Sequence, residues 1–260
     1  RVILATDGDL NVGLSSESEL TRLIEEKRES GVFLSVLGFG TGNYKDNRLE
    51  ALADYGNGNY SYIDSEKEAK KVLVDEMSGT LFTVAKDVKF QLEFNPANVK
   101  GYRLIGYENR VMAAEDFNDD TKDAGEIGAG HSVTVLYEIV PADSKMELGE
   151  SELKYASDSE GVMGDELLTV NIRYKEPEGS ESKLLTYPVN KSLYSDKMSA
   201  DMNFASCVAE FGMLLRNSRY IGDVTYKDVS AQLSKYDYSD DDYKDEFIYL
   251  VNTMKRRAIN

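Results

Sequence analysis

The 260-residue chain has no tryptophan, one cysteine, one histidine and four prolines. A lone cysteine, Cys207, excludes an internal disulfide. It sits in the apolar pattern of a predicted helix and reads as a small buried hydrophobe. The single histidine, His131, opens a predicted strand with no evident nucleophile beside it, so a structural hydrogen bond is its expected role. No run approaches the roughly 18 apolar residues that span a bilayer, and residue 1 carries no signal-peptide pattern. Basic residues are scarce: 30 Lys and Arg face 47 Asp and Glu, a formal charge of −17. Beyond Lys255-Arg256-Arg257 there is no basic run, so neither nucleic acid nor a membrane surface is an expected partner. What is present, 41% hydrophobic and 30% charged residues, is the composition of a soluble globular protein. Its many carboxylates read either as solubility or as divalent-cation chemistry.

Three regions follow one another. Residues 1–85 alternate strand and helix. Val2-Ile3-Leu4-Ala5-Thr6 is an aliphatic strand expected to be buried on both faces, and because such a strand normally lies mid-domain, further sequence is expected upstream. Ser16 to Glu19 forms a capping box ahead of Leu20, Leu23 and Ile24, and Gly31 supplies the stop. The strand Val32 to Leu37, a short helix at Leu49 and Leu52, the strand Asn59 to Ile63 and a helix capped by Ser65 complete a parallel α/β pattern. In residues 86–195 the period becomes two. Val88, Phe90, Leu92 and Phe94 alternate with Asp87, Lys89, Gln91 and Glu93, and similar strands cover 132–139 and 168–174. With turns at Asn95-Pro96 and Glu176-Pro177, these predict an antiparallel β-sandwich. Residues 196–260 form three short amphipathic helices, the second capped by Thr225, expected to pack on one of the preceding units.

Thr6-Asp7-Gly8-Asp9 reads as a polar turn or as a ligand site. In the second case Asp7, at the carboxyl end of a central parallel strand with Thr6 and Asp9 nearby, would bind Mg²⁺ or Ca²⁺. A second acidic candidate is the loop Asp116 to Glu126. Asp116, Asn118 and Asp120 match the first ligand positions of an EF-hand and Asp123 follows, but Thr121 replaces the required glycine and Ile127 the bidentate glutamate. A solvated hairpin loop and a calcium loop of another kind both remain open there. Asp240-Asp241-Asp242 reads as an acidic approach to a helix. Gly38-Phe39-Gly40-Thr41-Gly42 is not a phosphate loop and reads as backbone clearance at a strand end.

The strand ending in Thr6-Asp7-Gly8, the capped helix, Val36-Leu37-Gly38-Phe39-Gly40 and the strand Gly58-Asn59-Tyr60-Ser61-Tyr62-Ile63 resemble the second half of a von Willebrand factor type A (vWA) domain. Asp116-Phe117, the stretch Asp123 to His131, Leu167 to Val170 with Arg173-Tyr174-Lys175, and Ala209 to Arg216 resemble the bacterial YfbK-like vWA proteins nearly end to end. The resemblance implies a partial doubly wound, Rossmann-like parallel sheet followed by the family's β-rich segment and helical tail. It also implies a metal-ion-dependent adhesion site (MIDAS) built from three loops, of which only the Thr-Asp-Gly loop has a match, on Asp7. The Asp-x-Ser-x-Ser cluster occurs nowhere in the chain, so Mg²⁺ or Ca²⁺ is expected in the intact parent and no tight binding in this piece.

The expected function is therefore a non-catalytic protein-binding or adhesion module. A cell-envelope scaffold acting through the sandwich without metal is the alternative, and a hydrolase using Asp116 to Asp123 the remote one. The resemblance also suggests a bacterial envelope setting, periplasmic or lipoprotein-anchored. Without a first half-sheet, the strand of residues 2–6 would be an apolar edge. It is expected to be covered by the same chain or by a neighbouring copy.

Overall fold

The computed structural model describes residues 1–7, 17–40, 46–107, 110–122, 124–148 and 164–258. These form two compact units assembled from interleaved stretches: 1–93, 112–133 and 170–187 in the first, 94–111, 134–169 and 188–260 in the second. The architecture is mixed α/β, with one parallel sheet and separate antiparallel sheets.

In the first unit, β1 (Val2–Thr6), β2 (Leu34–Phe39) and β3 (Tyr60–Ile63) form a parallel sheet in that order. Helices α1 (Glu17–Glu29) and α2 (Asp46–Tyr55) supply the crossovers. Successive residues of β2 point to opposite faces, so Val36 packs with Ile24, Leu49 and Leu52 of these helices. Leu37 packs with Ile63 and Val72 on the other face. Gly31, at φ +84°, ends α1 in the left-handed conformation that glycine tolerates. Ser65 caps α3 (Glu66–Lys70) by accepting from the Glu68 amide. The predicted Ser16 cap lies outside the described residues.

One expectation fails at β1. Val2 is 49% and Ile3 38% exposed, and Ala5 is also exposed. Continuous aliphatic sequence signals a doubly buried strand only when neighbours stand on both sides. Among the described residues, β1 pairs with β2 alone.

A π-helical turn (Lys71–Asp75) and α4 (Met77–Leu81) lead into the antiparallel strands. These are β4 (Thr83–Phe94), β5 (Val99–Ile105), β6 (Gly125–Gly128), β7 (Leu136–Pro141), β8 (Glu166–Lys175) and β9 (Ser182–Asn190). They fall into a four-stranded sheet ordered β6-β4-β8-β9 and a two-stranded ribbon β5-β7. The predicted strand over 132–139 begins only at Leu136. The alternation predicted for β4 is inverted at its centre, where Lys89 is 4% and Phe90 42% exposed. Pairing with β6 is interrupted upstream by two register shifts, between Thr83 and Ala85 and between Ala85 and Val88, and the inward Lys89 ammonium is satisfied by the carbonyls of Asp116 and Asp119.

In the second unit, α5 (Ala200–Leu215), α6 (Tyr226–Leu233) and α7 (Asp242–Ala258) enclose a core of their own. Cys207, Val229, Leu233, Tyr238 and Val251 are buried in it. Phe204, Phe211 and Phe247 meet edge to face around them, with centroids 5.3 Å apart. Burial pushes the Cys207 thiol up to about 11. Thr225, the predicted cap of α6, forms a capping box with Asp228. Asp241 accepts from the Tyr243 and Lys244 amides at the start of α7. The ribbon adds Arg103, whose guanidinium lies 4.1 Å over the Tyr220 ring and pairs with Glu138.

Candidate functional sites

Two of the places singled out by sequence carry the polar residues of interest. The first is the carboxyl end of the parallel sheet. Thr6 is the last residue of β1 and stands beside Gly38 in the register of β2. Asp7 follows at once. Gly40, at φ +101°, leaves β2 in a conformation open to glycine, and a Cβ placed on it would stand 3.8 Å from Asp7 Cβ. The Tyr62 hydroxyl, on β3, donates to the Gly40 carbonyl and holds the turn from the third strand. Asp7, Gly40 and Tyr62 thus come from three consecutive strands. Sequence reasoning named Asp7 and the glycines but missed Tyr62, a strand residue in an apolar-aromatic run that carried no signal of its own.

A hard divalent cation wants roughly six oxygen ligands or more. The described end of β1 supplies one carboxylate, Asp7, and one threonine, Thr6, while Asp64 follows β3 two strands away. Among the described residues, no group of three or more histidine, cysteine, aspartate or glutamate side chains is placed to hold a metal ion. These residues by themselves do not fit the ion. Asp9 lies outside the described residues.

The second place is the acidic segment after β5. Ala114–Asn118 forms a 3₁₀ turn whose Phe117 is buried, pinning the segment to the first unit. Lys89, reaching up from β4, donates to the Asp116 carbonyl at 3.0 Å and to the Asp119 carbonyl. Lys175, from β8, donates to the Asp120 carbonyl at 2.8 Å and to the Asp87 carboxylate at 2.7 Å. Arg173, two residues earlier on the same strand, donates to Asn118 Oδ1 at 2.9 Å and Asp120 Oδ1 at 3.2 Å. Ser182 Oγ on β9 adds a bond to Asp120 at 2.6 Å, and Lys122 Nζ stands 3.5 Å from the Asp116 carboxylate.

The Ser182 hydroxyl, then Arg173 and Lys175, hold the Asp120 carboxyl below its ordinary range. Asp119 is lowered chiefly by the hydroxyl and amide of Thr121, then by Lys122 and Lys89. Arg173 thus reaches both Asn118 and Asp120, while the Asp116 carboxylate stands with Lys122. Asp123 lies outside the described residues.

Asp87, Lys89, Arg173, Lys175 and Ser182 escaped the sequence reading. A lysine in an alternating strand looks like the solvent side, and Lys89 and Lys175 are 4% and 9% exposed. His131 stands against α4. Its ring covers Gly79 of α4, where a Cβ would meet it at 2.7 Å.

Among the described residues, no helix is long and apolar enough to cross a membrane. Residues 79–256 match the model of the family described as "Uncharacterized protein YfbK, C-terminal". The chain is 43% identical over 256 residues to "Uncharacterized protein YfbK" of Escherichia coli (strain K12), a match covering 96% of this chain and 44% of that protein. It therefore spans less than half the length of this relative. Among solved structures it is similar to a von Willebrand factor type A protein from Catenulispora acidiphila, with 15% identity, a TM-score of 0.36, and coverage of 88% of this chain and 52% of that one. It is also similar to the human COPII-coat protein Sec24c, with 12% identity, a TM-score of 0.38, and coverage of 88% and 31%.

Proposed function

Because the chain belongs to the family described as "Uncharacterized protein YfbK, C-terminal", we propose that it forms part of a non-catalytic, protein-binding module of the vWA type. In this reading the parallel sheet is the second half of a doubly wound domain, and its strand-end face meets the partner. The observation that carries it is the placement of Asp7 beside Gly40, with Tyr62 anchoring the turn from β3. Open α/β sheets offer their ligand crevice at that end. In the full-length protein Mg²⁺ or Ca²⁺ would take Asp7 as one ligand and find the others outside the described residues. The proposed setting is the bacterial cell envelope, on the family resemblance alone.

Calorimetry with Mg²⁺ and Ca²⁺ on this chain and on the full-length protein tests the reading. Full-length protein is expected to bind the ion and to lose it on Asp7→Ala, while this chain binds weakly or not at all. Full-length protein without metal affinity, or unaffected by Asp7→Ala, overturns the adhesion site.

A second reading is a scaffold that acts through its antiparallel strands without metal. It is favoured by β9, the last strand of its sheet, on which Leu184 and Tyr187 are exposed. Partner capture that survives Asp7→Ala but is lost on Leu184→Ser with Tyr187→Ser would select it.

A further inference from the structure

The chain contains one Asn-Gly step, Asn57-Gly58, in the turn between α2 and β3. This dipeptide is chemically labile because glycine's missing side chain lets its backbone nitrogen approach the asparagine side chain. The Gly58 nitrogen, having lost its proton, attacks Asn57 Cγ. The new N–C bond closes a five-membered imide as the Cγ–Nδ2 bond breaks and ammonia leaves. Water then opens the imide at either carbonyl, giving aspartate or isoaspartate.

The fold opposes every part of this sequence. The Gly58 N–H donates to the Ala53 carbonyl at 3.0 Å, and the Asn57 N–H to the Asp54 carbonyl at 3.2 Å. The attacking nitrogen therefore has its proton tied to the last turn of α2. Asn57 itself is held at φ +47°. The peptides on either side are fixed across the sheet, Leu34 N to Gly56 O and Val36 N to Asn59 O, both at 2.8 Å. Nor can glycine be replaced, since a Cβ at residue 58 would stand 1.8 Å from the Leu34 carbonyl oxygen. The close packing that requires glycine creates the labile step, and the hydrogen bonds around it keep the step inert.

We propose that Asn57-Gly58 is a deamidation site gated by local opening of the α2–β3 turn. Isoaspartate at residue 57 inserts a methylene group into the main chain just before β3. The register of β3 on β2, which runs from Val36↔Tyr60 to Phe39↔Ile63, cannot absorb that extra length. Loss of ammonia makes the modification irreversible, and it marks chains that have opened there.

Peptide mapping by mass spectrometry tests this on the full chain, held in native buffer and in denaturing urea at one mildly alkaline pH and one temperature. Conversion at Asn57 is expected to be at least about tenfold faster in urea, equivalent to about 1.4 kcal/mol or more of opening free energy. In urea it should also outpace every other asparagine. Ala53→Gly, which loosens the turn supplying the acceptor, should raise the native rate and leave the urea rate unchanged. A variant that unfolds outright moves in the same direction. Equal native and urea rates for the natural sequence overturn the proposal, as does a urea rate at Asn57 no greater than at the other asparagines.

Discussion

Asp87 occupies a left-handed backbone conformation, φ +52°, inside β4, and its carboxylate meets Lys175 Nζ of β8 at 2.7 Å. A non-glycine residue in that region is strained. Here the strain accompanies a register shift between Ala85 and Val88. Both side chains are largely buried, so neither charge can fall back on water.

Removing one member should therefore cost more than removing both. Asp87→Ala is expected to destabilise by about 3 kcal/mol by leaving the Lys175 ammonium uncompensated. The double variant Asp87→Ala with Lys175→Met should lose less than the sum, with a coupling of about 1–3 kcal/mol in a double-mutant cycle. Asp87→Gly should recover roughly 1 kcal/mol relative to Asp87→Ala, because glycine accepts the left-handed backbone. Urea unfolding of the natural sequence, the two single variants Asp87→Ala and Lys175→Met, the double variant and Asp87→Gly checks all three statements.

The contact of α4 with β6 depends on two glycines of unequal importance. A Cβ on Gly128 would stand 1.7 Å from the Gly79 carbonyl oxygen, whereas one on Gly79 would meet the His131 ring at 2.7 Å. Backbone cannot move aside as a ring can. Gly128→Ala is expected to cost about 3 kcal/mol or more. Gly79→Ala should cost under about 1 kcal/mol, since alanine's helix preference offsets the ring's displacement. The shift in urea midpoint separates them, and similar losses at both positions would contradict the packing.

Acid should loosen the segment 116–120 in a defined direction. The folded-state values of Asp119 and Asp120 lie below the ordinary 3.8. Their contribution to stability is therefore complete above the unfolded value and disappears as pH falls from there through the lowered ones. Asp120→Asn should flatten the stability-versus-pH curve in that window and leave its slope above about pH 5 unchanged. Denaturant midpoints taken from neutral to strongly acidic pH supply the comparison.

How far sequence carries toward structure differs by element. The α/β alternation of the first 85 residues and the helices near Ser65 and Thr225 were legible because each signal is local: an apolar period, a cap, a glycine stop. The Asn95-Pro96 and Glu176-Pro177 turns are closed by local bonds as well, Val99 N to Asn95 O and Gly179 N to Glu176 O. Exposure of β1 was not legible, because an aliphatic run states what a strand can bury and not whether a neighbour arrives. The acidic segment shows a different limit. The spacing of Asp116, Asn118 and Asp120 is shared by cation loops and by loops bound to basic side chains. The basic side chains this segment meets include two from more than fifty positions away. Lys89 was placed on the wrong face because periodicity reads a lysine as solvent-facing, whereas the carbonyls of Asp116 and Asp119 receive its ammonium inside.

The order in which the strands occur along the chain has a consequence during synthesis. Among the described residues, the pairings of the parallel sheet join consecutive strands, so these three strands can pair once Ile63 has left the ribosome. The cations that neutralise residues 116–120 are not so arranged. Lys89 emerges first, but Arg173 and Lys175 follow the segment by more than fifty residues. Throughout that interval a nascent chain carries Asp116, Asp119 and Asp120 with half their counter-charges still untranslated. Three carboxylates kept in water hold the exposed strands of an unfinished sheet apart from other chains. The negative charge that finally locks this segment down thus first serves as its solubiliser.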